Sequence, residues 1–181
     1  AERIRKDYPD DYEFQVCGLI HDLGKVLFSY GEPSWCVVGD TYPLGCQFSK
    51  SILYYDTLKE NSDFKNDKYQ TKLGIYQENG GLKNVIFSFG HDEYLYQILL
   101  KNMDKHKLSD KYMNIIRYHS FYPWHSNNEY MYLMDNEDKT TLKDVRLFNK
   151  YDLYSKEDND FISDDIKTYY YNLLNTFFPQ K

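Results

Sequence analysis

The sequence predicts an all-α fold, and three observations carry that expectation. Apolar residues recur at spacings of three and four along successive segments, which places them on one face of a helix. No segment sustains the two-residue alternation of a half-buried strand. Asp, Ser and Thr stand where the periodic segments begin, and Gly or Pro where several of them stop, as helix boundaries require.

Taken in order, the first helix follows Asp10 and Asp11, both suited to an N-cap, and carries Val16, Ile20, Leu23 and Leu27 until Gly31 stops it. A long irregular stretch comes next, "GEPSWCVVGDTYPLGC" and then the polar "KENSDFKNDKYQ". Loops of this length without regular structure are often functional. A second helix reads from about Leu82 to Lys101 through Val85, Phe89 and Leu95. A third starts at Ser109, passes Tyr112, Ile115 and Ile116, and meets its stop at Pro123. In the fourth, Thr141 and Asp144 have capping-box spacing, and the helix continues to about Lys156. A fifth follows Ser163 and ends at Pro179. No internal repeat and no second domain is visible, so residues 1–181 read as one domain.

Composition narrows what such a domain can do. Hydrophobic residues make up 41% and aromatics 18% of the chain, enough to bury a core. A formal net charge of -6 argues against a broad nucleic-acid surface, which needs clustered Lys and Arg, and favours a small or neutral partner. Cys17, Cys36 and Cys46 are odd in number and form no CxxC pair, so neither a disulfide framework nor a thiolate zinc site is indicated. A reducing, cytoplasmic setting fits. No apolar run reaches membrane-spanning length, and "AERIRKDYPDD" has no apolar signal region.

The polar residues on these helices raise the functional question. His21 lies one turn after Cys17 and one turn before Lys25, with Asp22 beside it, and His91 with Asp92 repeats the pair. His119 follows Ile115 by four residues and Ile116 by three, so it points inward; Asp152 follows Val145 by seven and Phe148 by four. Four helices each aim a ligand-type side chain at the core. Burying carboxylates and imidazoles without partners costs several kcal/mol each, and a shared metal offsets all of them together. Oxygen and nitrogen ligands without thiolate suit iron, manganese, zinc or nickel, and helices with inward ligands are one way dinuclear sites are built.

Each residue also has a plain structural reading. A lone inward histidine ordinarily makes a buried hydrogen bond, and adjacent His and Asp arise often by chance. Asp92 reads as structural, either supporting a ligand or at the surface; His106, in "KNMDKHKLSD", as solvated; His125 as structural or supporting; Cys17 as core packing. Lys25 can equally be a surface lysine at a helix edge.

"GLIHDLGKVL", "GEPSWCVVGDTYPLGC", "FGHDEYLYQ", "RYHSFYPWH" and "LFNKYDLYSK" resemble, in the same order, the corresponding blocks of the myo-inositol oxygenase family. The match runs from the first residues to about Lys156 and continues loosely to the end. The resemblance implies an HD-domain helical bundle holding two irons (Fe2+/Fe3+) and no organic cofactor; a monomer is expected, although nothing in the sequence reveals the oligomeric state. On the matching positions, His21 and Asp152 would bind one iron, His91 and His119 the other, and Asp22 would bridge them. Lys25, Gly39, Asp40, His119 and Ser120 match substrate-contacting positions. The implied reaction is dioxygen-dependent ring opening of myo-inositol to D-glucuronate at a mixed-valent diiron centre.

One departure bears on this. The family has a further histidine ligand to the first iron upstream of "AERIRK", together with an acidic substrate loop, and residues 1 to 20 contain no histidine. An N-terminal segment carrying both is therefore expected outside these 181 residues. Two rivals stay open: a metal-dependent phosphohydrolase on the same scaffold, and an inactive metal-binding protein that keeps the fold. The near isolation of Lys25 counts against a phosphate site.

Overall fold

A computed structural model describes residues 1–153 and 162–179. Among these residues the regular structure is helical, and the only strand-like pairing is an isolated bridge between Pro43 and Phe87. The longer helices are α1 (Glu2–Asp7), α2 (Tyr12–Ile20), α4 (His91–Lys101), α5 (Asp110–Tyr118), α7 (Asp138–Asp152) and α8 (Asp164–Phe177). Two four-residue helices, α3 (Ser34–Val37) and α6 (Tyr122–His125), and several 3-10 turns connect them. Helix α4 packs on α5, α5 packs on α2 and α7, and α8 lies against α2. The core gathers Ile4, Phe14, Ile20, Leu82, Ile115, Ile116, Tyr118, Phe121, Trp124, Val145 and Phe148.

The first predicted helix starts as expected, with Asp11 Oδ1 accepting from the Phe14 N–H at 2.9 Å, but it does not run to Gly31. It ends at Ile20, and a 3-10 segment takes over from Leu23 to Tyr30. Gly24 explains the close fit there: a Cβ on it would stand 1.8 Å from the His91 carbonyl oxygen, so only glycine lets this segment lie against the start of α4. Helix α1 was not anticipated.

The second helix was expected from Leu82 and begins at His91. Residues 82–84 form a short 3-10 turn, and the backbone of 86–88 is taken up by the irregular loop. Leu44 N–H donates to Ile86 O at 2.8 Å and Ser88 N–H to Tyr42 O at 2.9 Å. Pairing with a distant loop overrode the helical spacing of Val85 and Phe89. Helix α5 follows Ser109 as expected but ends at Tyr118; Pro123 sits inside the first turn of α6, where a missing N–H costs nothing.

Helix α7 starts at Asp138, so Thr141 is not its cap. The reciprocal pair is Asp135 with Asp138: Asp135 Oδ1 accepts from Asp138 N at 3.1 Å, and Asp138 Oδ2 accepts from Asp135 N at 2.9 Å. This is capping-box geometry six residues ahead of the expected pair, with aspartates in both roles. The helix is described to Asp152, and the expected end near Lys156 lies outside the described residues. Ser163 caps α8 through Ile166 N at 3.3 Å. Among the described residues no helix is long and apolar enough to cross a membrane.

Candidate metal centre

Three histidines are each anchored through one ring nitrogen. His21 Nδ1 meets Gly18 O at 3.1 Å, His91 Nδ1 meets Val37 O at 2.8 Å, and His119 Nδ1 meets Ile116 O at 2.7 Å. A carbonyl only accepts, so each Nδ1 carries a hydrogen, and it is Nε2 of each ring that is left to act as a ligand. Metal-binding histidines are oriented in this way by backbone carbonyls.

The free nitrogens converge. His91 Nε2 and His119 Nε2 face each other at 3.1 Å, and His21 Nε2 lies 3.1 Å from Asp152 Oδ1. Asp22 stands between the two pairs. Its Oδ1 is 3.4 Å from His91 Nε2 and 3.9 Å from His119 Nε2, while its Oδ2 is 3.6 Å from His21 Nε2. Ligand atoms of His21, Asp22 and His119 all lie within 4.8 Å of one another. All five side chains singled out from the sequence thus meet at one place, the ends of α2, α4, α5 and α7.

The arrangement fits a metal better than it fits itself. Two imidazole lone pairs at 3.1 Å repel unless a proton or a cation lies against them. Burial, with His21 and His91 close by, holds His119 well below the usual histidine range, so it keeps its Nε2 lone pair near neutral pH. His91 is also buried, but its bond to Asp22 and the nearby charge of Asp92 more than offset this and raise its pKa. Burial works against ionisation of Asp22, yet His91 and Lys25 hold its carboxyl far below the ordinary carboxylate range. Asp152 behaves likewise, with His21 and His119 outweighing burial. Nitrogen and carboxylate donors with no thiolate suit iron, manganese, zinc or nickel. The thiol on α2, Cys17, is fully buried and directed at Tyr112 O at 3.8 Å.

Phe148 forms the floor, its ring edge-on to His21 at 5.1 Å and to His119 at 6.3 Å. His125 supports from behind: its Nε2 contacts His119 O at 2.9 Å, and burial pushes it down to about 4. His106 differs from expectation. It is buried, with Nε2 on Leu99 O at 3.0 Å and Nδ1 accepting from Leu108 N at 3.2 Å, so it closes the turn after α4 rather than facing water.

Of the expected substrate residues, Lys25 reaches the cluster directly, with Nζ 2.7 Å from Asp22 Oδ2. Ser120 is buried, with Oγ 3.5 Å from His91 Nε2. Gly39, at φ 120°, and Asp40 line a cleft of about 180 Å³ together with Trp35, Tyr42, Ser88 and Phe89. This cleft reaches Gly90, one residue before His91, and Lys25 does not line it. Asp40 Oδ2 accepts from Leu53 N at 2.8 Å, and burial raises its pKa.

All 181 residues match the protein-family model described as myo-inositol oxygenase. The chain belongs to that family. It is 50% identical over 184 residues to a "Probable inositol oxygenase" of Oryza sativa subsp. japonica, an alignment that covers 100% of this chain and 59% of that protein. An "Inositol oxygenase" of Dictyostelium discoideum is 46% identical over 186 residues, covering 100% of this chain and 63% of its own length. The corresponding figures for "Inositol oxygenase" of Danio rerio are 46% over 180 residues, 99% and 64%. The chain therefore spans 59 to 64% of the length of these three relatives.

This member of the myo-inositol oxygenase family also has supporting residues that sequence reasoning passed over. Tyr122 donates its hydroxyl to Asp152 Oδ2 at 3.3 Å. Arg117 and Glu93 form a buried ion pair, Nε to Oε2 at 2.7 Å, tying α5 to α4. Thr41 is buried and donates to the fully buried Asp92, whose carboxyl is pushed up to about 6 mainly by burial. Glu93 and Arg117 stand two residues from His91 and His119, and opposite charges on neighbouring helices were the one available signal.

Proposed function

We propose that this chain carries the single HD-type catalytic domain of a cytoplasmic, monomeric myo-inositol oxygenase, converting myo-inositol and dioxygen to D-glucuronate and water. The observation that carries the reading is Asp22. One carboxylate divides its oxygens between the His91/His119 pair and the His21/Asp152 pair, as the bridge of a two-metal centre would. His21, Asp22 and Asp152 would hold one iron, and His91, His119 and Asp22 the other.

Iron bound there would supply Lewis acidity toward vicinal hydroxyls and the redox capacity that dioxygen chemistry needs. The rest falls to the chain. His91 and His119 keep their Nε2 atoms turned inward because their Nδ1 hydrogens are committed to carbonyls. Lys25, already beside Asp22, would donate to a ring hydroxyl, and Asp40 would accept from one; Gly39 lets the ring approach the backbone. Ser120 would position a hydroxyl next to the two histidines. Inside a water-poor pocket these hydrogen bonds orient the ring more strongly than they would in water.

A phosphohydrolase would need cations to receive its phosphate. The lysine seen against the cluster, Lys25, is engaged by Asp22 at 2.7 Å. Metal analysis with electron paramagnetic resonance decides the matter: two irons per chain and a mixed-valent signal altered by myo-inositol are expected. Phosphoester cleavage without inositol-dependent oxygen uptake would replace the oxygenase reading by the hydrolase.

A further inference from the structure

Residues 37–41 cross over the start of α4 and are fastened to it on both sides. On one side, Val37 O receives the His91 Nδ1 hydrogen at 2.8 Å. On the other, the Thr41 hydroxyl donates to Asp92 Oδ2, and Asp92 Oδ1 in turn accepts from Glu93 N at 2.9 Å. Thr41 also spends its backbone N–H on Ser120 O at 2.8 Å, so the same residue is joined to the neighbours of both His91 and His119. Thr41, Asp92 and Ser120 are 2%, 0% and 5% exposed, which keeps water from competing for these bonds. Between the two fastenings stand Val38, Gly39 and Asp40, half-buried or exposed and facing the cleft.

A loop ordered only for stability needs no link to metal-ligand neighbours on two different helices. Here the link is short and buried, and it uses the Asp92 carboxylate, whose hydrogen bonds go to Thr41 and Glu93 N. We propose that Thr41 is a positioning residue: through Asp92 and Ser120 it fixes Gly39 and Asp40 at a set distance from the His91/His119 pair, so that the polyol is held in register with the metal. This rests on the reading of Asp40 as a substrate contact. Breaking the latch should loosen substrate binding without removing metal, because His91 keeps its Val37 anchor and His119 its Ile116 anchor.

The test uses the iron-loaded protein under dioxygen-free conditions, with myo-inositol affinity read by calorimetry and iron by elemental analysis. Thr41→Val keeps the shape and removes the donor; a roughly tenfold or greater rise in Kd with iron content unchanged is expected, the usual scale for losing a hydrogen bond to a charged group. Thr41→Ser, which retains the hydroxyl, should restore affinity. Under turnover, KM should rise more than kcat falls. If Thr41→Val does not fold because Asp92 is left buried and unpartnered, Thr41→Val/Asp92→Ala removes both ends and carries the same expectation. Asp40→Ala separates the two levels of the argument. If it binds normally, the substrate role of the loop is wrong and the latch falls with it. If Asp40→Ala binds weakly while the latch variants stay within twofold of wild type, the latch alone is overturned.

Discussion

The two halves of the cluster are built differently. His91 and His119 are 4% and 3% exposed, on helices locked together by the buried Glu93–Arg117 pair, with Arg117 further enclosed by the rings of Phe87, Tyr96 and Tyr118. His21 and Asp152 sit at helix ends nearer the surface, and Asp22, whose side chain is 42% exposed, joins them from a 3-10 break. The inner pair is held from all sides by packing and charge. The outer pair depends on a phenol, a lysine and one carbonyl. The cluster thus has a rigid inner half and a more open outer half, with room for further ligands at the surface.

The largest effect should come from the inner half. His119→Ala removes a donor that faces His91 at 3.1 Å, and iron at that position should be lost together with inositol-dependent oxygen uptake, beyond the roughly 10- to 100-fold that loss of a ligand's supporting partner costs. Elemental analysis showing full iron in this variant would dissolve the distinction between the halves. Next comes the clamp: Glu93→Ala leaves the Arg117 guanidinium buried and uncompensated, which should cost about 3–5 kcal/mol of stability, measured by urea unfolding. A loss below about 1 kcal/mol would mean that the inner half is not held by this pair.

Smaller effects are expected outside. Lys25→Ala should impair substrate binding or turnover while iron content stays intact and stability changes by no more than about 0.5 kcal/mol, as for an exposed side chain; loss of iron would instead make Lys25 part of the metal site. The smallest effect belongs to Tyr122→Phe. Removing one hydrogen bond of 3.3 Å to Asp152 should weaken metal at the His21 side by about tenfold or less, seen in chelator competition, with the His91/His119 position unaffected.

Much of this was legible in advance. Helical spacing announced α2, α5, α7 and α8, and inward placement of His21, His119 and Asp152 followed from residues three, four and seven positions away. Local rules sufficed there because a ligand on a helix inherits its direction from its neighbours. They failed where a distant segment competed for the backbone. Residues 86–88 have helical spacing, yet they pair with 42–44, and α4 consequently begins at His91. His106 stands among charged residues, but the carbonyl of Leu99 and the N–H of Leu108 satisfy it inside.

What the sequence by itself determined is the class of fold, the identity of the five convergent side chains and the family, all carried by local spacing and by blocks of residues in order. Only the tertiary structure decided how they meet: that Asp22 splits its oxygens between two pairs, that Gly24 brings the break after α2 against the His91 carbonyl, that an Asp135–Asp138 pair rather than Thr141 marks the start of α7, and that Thr41 ties the cleft loop to the neighbours of the histidines. The physical reason is range. Periodicity and capping act over one helical turn and are written in consecutive residues, whereas the distance between Thr41 and Asp92, or between His91 and His119, depends on how separate helices pack and leaves no mark on either segment alone.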